Sequence, residues 1–297
     1  MLNFHKKEKL FLEAVRKTSQ NSGFSEVLIE KDYYCSLLLK EIFHGKGYLD
    51  WSHFLVFKGG TLLNKCYVGF YRLSEDLDFS ISDRPKTSRK QRSSLADKSK
   101  KHIISAVEKL SLDFSKTFEG HNENRLYSAE IVYNSLITGS KNTIKIEFGI
   151  HEKIWEKENL NAKTLIENPL TEQAVLSNFQ VVGLSFKEAY SEKIRAALSR
   201  EIPAIRDIFD IHYAIKQRLI EEPKACIRIH EISPMVKYKL KALNCKIDLS
   251  DERKKEFLNQ METGLKPVLR QKDFEEFNFE QAWSWLKILE QKISESL

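Results

Sequence analysis

The segment Asp76-Leu77-Asp78-Phe79 is the feature that most restricts how this chain can fold. Side chains of a β-strand alternate between two faces, so both aspartates lie on one face, with Leu77 and Phe79 on the other. The pattern predicts a strand over residues 77–82 that packs one face on the core. Two carboxylates ~4 Å apart repel each other by about 4 kcal/mol at an effective dielectric constant of 20. Such a pair is typical of a Mg²⁺ site completed by phosphate oxygens, although alone it also fits an exposed acidic strand end.

Glu147 is a candidate third carboxylate. Residues 144–148 alternate apolar and charged side chains, which predicts a strand with Glu147 on its polar face. If this strand neighbours the strand of Asp76 and Asp78, the three acids face one cleft. Three carboxylates that hold two Mg²⁺ ions are typical of phosphoryl or nucleotidyl transfer, with Glu147 as metal ligand or general base. The alternative is a polar edge residue that pairs with Lys145.

A glycine pair precedes the acidic strand. Residues 57–61 read Phe-Lys-Gly-Gly-Thr, between a predicted strand at 54–57 and a predicted helix at 61–71. Glycine lets the backbone approach a ligand closely, and the amides at a helix N-terminus attract anions. The segment is not a Walker A motif. On its own it also fits an ordinary tight turn.

The helical second half carries a cluster of opposite charges. Lys193, Ala197 and Arg200 share one face of a predicted helix over residues 186–200, so both cations can reach a common anion. Asp207 and Asp210 follow at a spacing of three, which also places them on one helical face. The alternative is ion pairing at the surface.

The positive charge of the chain is concentrated in one segment. The 297 residues include 48 Lys or Arg and 42 Asp or Glu, a net charge of +6. Residues 84–109 hold nine of the basic residues and two of the acidic ones, so the rest of the chain is close to neutral. This predicted helix, over residues 86–110, is either a solvated surface or a surface for phosphates. The residues assigned to RNA binding are Arg84, Lys86, Arg89, Lys90, Arg92, Lys98 and Lys101.

Composition and periodicity define the class of protein. An apolar fraction of 41% with 11 Gly and 6 Pro excludes a disordered or collagen-like chain. The four cysteines form no C-x-x-C pair, and no apolar run is long enough to span a membrane, so we expect a cytoplasmic protein without a zinc site. Helices are predicted at 5–20 and 25–44, a further strand at 127–133, and mostly helix beyond residue 160. We expect an α/β lobe over 1–160 and a helical lobe over 161–297.

The ordered motifs resemble the AbiEii/MenT-type nucleotidyltransferase toxins of the DNA polymerase β-like superfamily. The matching segments are Lys58-Gly59-Gly60-Thr61-x-Leu63-x-Lys65-x-Tyr67, Arg72-x-Ser74-Glu75-Asp76-Leu77-Asp78, Glu30-Lys31-Asp32-Tyr33, and Glu192-Lys193 with Ala197, Arg200 and Arg206-Asp207-x-x-Asp210. The superfamily turn is often Gly-Ser, and Thr61 is a candidate source of the missing hydroxyl. The resemblance implies an α+β fold, with a polymerase β-like core, a mixed sheet and a helical C-terminal lobe.

The resemblance also implies Mg²⁺-dependent transfer of a nucleotide from an NTP. Asp76 and Asp78 would hold the metals, Lys193 would contact the phosphates, and Asp207 would be a further active-site residue; our strand argument adds Glu147. The residues assigned to the nucleotide are Lys58, Gly59, Gly60, Thr61, Lys65, Arg72, Lys193 and Arg200.

The expected function is a toxin of a toxin–antitoxin or phage-defence system, countered by a separate antitoxin protein. The expected acceptor is RNA, at the 3′ end of tRNA. Two alternatives remain: transfer to a hydroxyl of a protein or small molecule, and a non-enzymatic RNA-binding module. Metal-independent RNA binding that survives loss of Asp76 would favour the latter.

Overall fold

The computed structural model describes residues 3–45, 55–81, 88–121, 124–150, 153–220 and 227–296. The chain forms two compact units, Met1–Leu184 and Ser185–Leu297. No helix among the described residues is long and apolar enough to cross a membrane.

The N-terminal unit is built on a mixed sheet of seven strands in the order β3-β4-β5-β2-β1-β7-β6. β2 runs parallel to β5 and β1 parallel to β7, while the other neighbours are antiparallel. The mixed sheet confirms the predicted fold class. The strands are β1 Leu55–Lys58, β2 Asp76–Ile81, β3 Asp113–His121, β4 Leu126–Asn134, β5 Lys141–Gly149, β6 Lys157–Ala162 and β7 Phe179–Leu184.

Two long helices cover the apolar face of this sheet. The Phe43 ring of α2 lies 6.1 Å from Phe79 of β2, and Lys100 of α4 lies 4.2 Å from the ring centroid of Tyr127 on β4. Serine side chains cap both helices at their N-termini, which is why they begin at these residues. The other face of the sheet carries charged side chains. The helices of this unit are α1 Glu8–Ser22, α2 Glu26–His44, α3 Gly59–Leu62 and α4 Arg89–Lys109, and α3 continues as a π-helical turn, Leu63–Tyr67.

The C-terminal unit is mainly helical, as the sequence predicts. Its core includes Tyr190, Ile194, Ile208 and Leu286, all of which are buried. The helices are α5 Phe186–Ser199, α6 Ile205–Lys216, α7 Ile229–Ala242, α8 Asp251–Leu258, α9 Gln271–Glu275 and α10 Phe279–Glu295.

The structure corrects the prediction of mostly helix beyond residue 160. The strands β6 and β7 complete one side of the sheet, so the N-terminal unit ends at Leu184 rather than at residue 160. The edge strand β3 was also not predicted. Both β3 and β6 are exposed along most of their length, so they lack the alternating apolar pattern of a half-buried strand.

Candidate active site

The register between β2 and β5 brings the predicted acids together on one face of the sheet. Asp78 pairs with Glu147, and Asp76 pairs with Lys145, in parallel strands. Paired residues on neighbouring strands point to the same side, and the strands lie about 4.8 Å apart. Leu77 is fully buried on the opposite face. The strand argument for Glu147 as a neighbour of the two aspartates therefore holds in the structure.

Lys145 lies among these carboxylates. Its Nζ is 2.9 Å from Oε1 of Glu147. Burial alone would lower the pKa of the Lys145 ammonium. The hydrogen bond and charge of Glu147, together with the charges of Asp76 and Asp78, outweigh that effect and raise the pKa above its ordinary value. The pairing with Lys145 considered for Glu147 is therefore present, in addition to its position beside Asp78.

Gly59 brings the backbone against the Asp78 carboxylate. Its φ of +79° is a left-handed conformation that favours glycine. A Cβ at this position would lie 2.4 Å from Oδ2 of Asp78. Any other residue would therefore combine backbone strain with a clash. Lys58, the residue before it, is the register partner of Asp78 on β1 and shares its face.

Gly60 makes room for two polar side chains. A Cβ here would lie 2.2 Å from Nη2 of Arg72 and 3.2 Å from Oγ of Ser74. Arg72 is 1% exposed, and its Nη1 donates a hydrogen bond to the Leu73 carbonyl at 3.0 Å. A side chain at position 60 would therefore have to displace this buried guanidinium.

Thr61 is hydrogen-bonded to the backbone of the acidic strand. Its hydroxyl donates a hydrogen bond of 2.6 Å to the backbone carbonyl of Asp76, and the residue is 2% exposed. The proton of this hydroxyl is therefore directed at the protein backbone and not at the space beside the turn. Its observed role is to join the glycine turn to the start of β2.

Lys65, assigned to the nucleotide from the sequence, lies in the protein interior instead. Its Nζ donates to Oδ1 of Asp32 at 2.6 Å and to Oγ of Ser36 at 2.7 Å. The lysine side chain is 0% exposed. A cation that is fully enclosed with its counter-ion cannot reach a ligand without breaking this pair, so the structure places Lys65 away from any exposed binding surface.

The predicted charge cluster of the C-terminal unit joins two helices. Lys193 on α5 places Nζ 2.7 Å from Oδ1 of Asp207 and 2.9 Å from Oδ2 of Asp210, both on α6. Arg200, directly after α5, reaches the other oxygen of Asp207 at 3.4 Å. Asp207 and Asp210 are buried, so this is an interior network rather than surface pairing within one helix.

The basic segment lies on the other side of the sheet from the acids. α4 packs on the apolar face, and its exposed side carries Lys90, Lys98 and Lys101. With Ser93, Ser94 and Asp97, these lysines line an open depression. Arg92 is partly exposed on the same helix, and Arg89 begins it. Arg84 and Lys86 lie outside the described residues. The segment therefore follows the acidic strand in sequence without sharing its face.

The donor set of the carboxylate face suits Mg²⁺, which prefers carboxylate oxygens. The close contact of Gly59 with Asp78 fixes one of these groups against the backbone. In the part of the chain that the structure describes, no three His, Cys, Asp or Glu side chains are already gathered as a metal cluster. The three acids share one face of the sheet. In this structure, however, Glu147 is paired with Lys145.

Two residues of this site were not assigned from the sequence. Lys145 entered only as a pairing partner for Glu147, although its position two residues before Glu147 on a strand already places both side chains on one face. Ser74 lies beside Gly60, and no periodicity in the sequence predicts that contact.

In the N-terminal unit a glycine turn thus lies against an acidic strand, with a third acid on the neighbouring strand. The family model described as "Nucleotidyl transferase AbiEii toxin, Type IV TA system" matches residues 48–291, and the chain belongs to this family.

Solved structures support the same fold. MenT4, a nucleotidyltransferase toxin from Mycobacterium tuberculosis H37Rv, is similar with a TM-score of 0.53 and 16% identity, over 96% of this chain and 98% of that one. JHP933 from Helicobacter pylori is similar with a TM-score of 0.51 and 16% identity, over 91% and 93%. No curated protein is significantly similar in sequence.

Proposed function

We propose that this protein transfers a nucleoside monophosphate from an NTP to an acceptor hydroxyl on RNA, in a reaction that needs Mg²⁺. The observation that carries the proposal is the shared face of Asp76, Asp78 and Glu147, directly beside the Gly59–Gly60 turn. Family membership supports the transferase chemistry. A module that only bound RNA would gain nothing from three carboxylates directed at a phosphate chain.

Asp76, Asp78 and Glu147 would hold Mg²⁺, in a two-metal arrangement. When bound, the ions neutralise charge on the triphosphate and favour attack by the acceptor oxygen on the α-phosphorus with pyrophosphate leaving. In this proposal Glu147 would alternatively accept the proton of the attacking hydroxyl.

Other residues of the chain bind and orient the nucleotide in this proposal. Gly59 and Gly60 let the triphosphate approach the backbone, and Lys58 adds positive charge on the same face as Asp78. The buried Arg72 side chain packs close to Gly60 of this turn. In the C-terminal unit, the family resemblance makes Lys193 a phosphate candidate, and a phosphate would have to compete with Asp207 and Asp210 for its ammonium. Arg200 is the further phosphate candidate.

The proposed acceptor is the 3′ end of tRNA, and the setting is the cytoplasm, where NTPs and tRNA are both available. The exposed lysines of α4 support an RNA partner through their charge. Because α4 lies on the other side of the sheet from the acids, it would hold the body of the RNA rather than the reacting end. The toxin role follows from the family, and a separate antitoxin would oppose it.

The test is label transfer from each of the four α-³²P NTPs to total tRNA, with Mg²⁺ or with EDTA. We expect label on tRNA with Mg²⁺ only. Asp78→Asn should lower the rate at least about a hundredfold, because metal ligands contribute several kcal/mol to the transition state. Asp113→Asn changes an exposed acid on β3 of the same sheet and should leave the rate unchanged.

Different outcomes separate the alternatives. Label on a protein band or a small molecule would replace RNA as the acceptor. Full activity of Asp78→Asn, or activity in EDTA, would contradict the metal assignment. RNA binding without any label transfer would favour the binding module.

A further inference from the structure

The polar face of the sheet carries a row of alternating charges across four strands. In register, Lys116 on β3 pairs with Glu130 on β4, Glu130 with Lys145 on β5, and Lys145 with Asp76 on β2. The Lys116 and Glu130 side chains form an ion pair of 2.8 Å. Register partners share a face, so a carboxylate lies beside Lys145 on each neighbouring strand, Glu130 on β4 and Asp76 on β2.

The ammonium of Lys145 nevertheless binds a third carboxylate, that of Glu147 in the next row of the same face. The distance is 2.9 Å, and the side chains are 48% and 24% exposed. Glu147 is at the same time the register partner of Asp78. A half-exposed lysine can move between neighbouring partners at little cost, because such pairs contribute little to stability.

We propose that Lys145 is a positioning residue that holds Glu147 and neutralises the carboxylate face until a divalent cation binds, and then moves to Glu130. This inference rests on the proposed metal site at Asp76, Asp78 and Glu147. A metal ion and the ammonium would repel each other if both stayed on one carboxylate, so metal binding favours release of Lys145. Glu130 on β4, which already pairs with Lys116, is the second partner that would receive it.

The proposal predicts that loss of the Lys145 ammonium lowers the stability of the metal-free protein and raises the affinity for the metal ion. In metal-free protein, loss of the ammonium leaves like charges facing each other on neighbouring strands, which is destabilising. In metal-bound protein, the same loss removes a competing cation. An ordinary structural ion pair would lower stability equally in both states and leave metal affinity unchanged.

The experiment is calorimetric titration of the full chain with MgCl₂ and, separately, MnCl₂, without nucleotide, together with thermal unfolding in EDTA. Lys145→Met should bind the ions on the order of tenfold more tightly than the wild type, since a nearby positive charge is gone. It should also unfold at a lower temperature in EDTA. Glu130→Gln, which removes the receiving partner, should bind the ions several-fold more weakly.

The matched control is Lys157→Met, which removes an exposed lysine on β6, at the opposite side of the sheet, and should leave the metal affinity within about twofold. Equal or weaker metal binding by Lys145→Met would overturn the inference, as would unchanged binding by Glu130→Gln. A wild type that binds neither ion would overturn the metal site and this inference together. A wild type that binds metal but transfers no nucleotide would overturn the proposed reaction alone.

Discussion

Lys65 and Lys145 each bind a carboxylate in the N-terminal unit, at 2.6 Å and 2.9 Å, but in different surroundings. The Lys65 side chain is 0% exposed, its partner Asp32 is 4% exposed, and Oγ of Ser36 accepts a second hydrogen bond from the ammonium. Lys145 is half exposed and faces more carboxylates than it can bind at once. The first pair is buried and hydrogen-bonded, whereas the second is accessible to solvent and lies among further carboxylates. A buried ion pair whose hydrogen bonds are all formed stabilises the fold. An accessible face with more carboxylates than cations favours cation binding instead.

Lys65→Met tests the interior pair and should give the largest loss of stability. Breaking a buried ion pair by removing one partner costs about 3–5 kcal/mol, because the remaining charge is left without compensation. Among the described residues, Asp32 would keep only the 3.4 Å hydrogen bond from the Leu165 amide. The measurement is the free energy of unfolding from urea denaturation.

The double variant Lys65→Met, Asp32→Leu is the control, since it removes both charges and should recover much of the loss. If Lys65→Met instead folded with wild-type stability and bound NTP more weakly, Lys65 would be a nucleotide ligand after all.

Lys193→Met extends the comparison to the C-terminal unit, with an intermediate effect. Lys193 is 12% exposed and joins Asp207 to Asp210, so its loss leaves two buried carboxylates facing each other. Arg200 still reaches Asp207, so we expect a loss of about 1–3 kcal/mol in urea unfolding.

Arg200→Met is the matched control for Lys193. Its side chain is 53% exposed, so the change should alter stability by less than about 1 kcal/mol. Equal losses for the two variants would contradict the view that Lys193 is the centre of this network.

The same contrast explains what could be predicted from the sequence. The acidic face was predictable because a half-buried strand alternates with a period of two, and β2 and β5 both keep that pattern. The edge strands β3 and β6 could not be predicted, because most of their residues are exposed and their burial does not alternate.

Side-chain partners separated by long stretches of chain were the least predictable part of the site. Lys65 stands in a motif that resembles a nucleotide-binding segment, yet its partner Asp32 lies on α2, which is distant in sequence. Gly60 lies close to the side chain of Arg72, and a π-helical segment separates the two residues in the sequence. No local pattern encodes either contact.

Asp78→Asn should have the smallest effect on stability. In EDTA the variant relieves repulsion between Asp78 and Glu147 and also weakens the attraction between Asp78 and Lys58, so the free energy of unfolding should change by less than about 1 kcal/mol. With millimolar Mg²⁺ the wild type should gain stability through binding, whereas the variant should gain much less. Urea denaturation under the two conditions measures both effects. A loss of several kcal/mol in EDTA would instead make Asp78 a structural residue like Asp32, and would contradict the division between a fixed interior pair and an accessible acidic face.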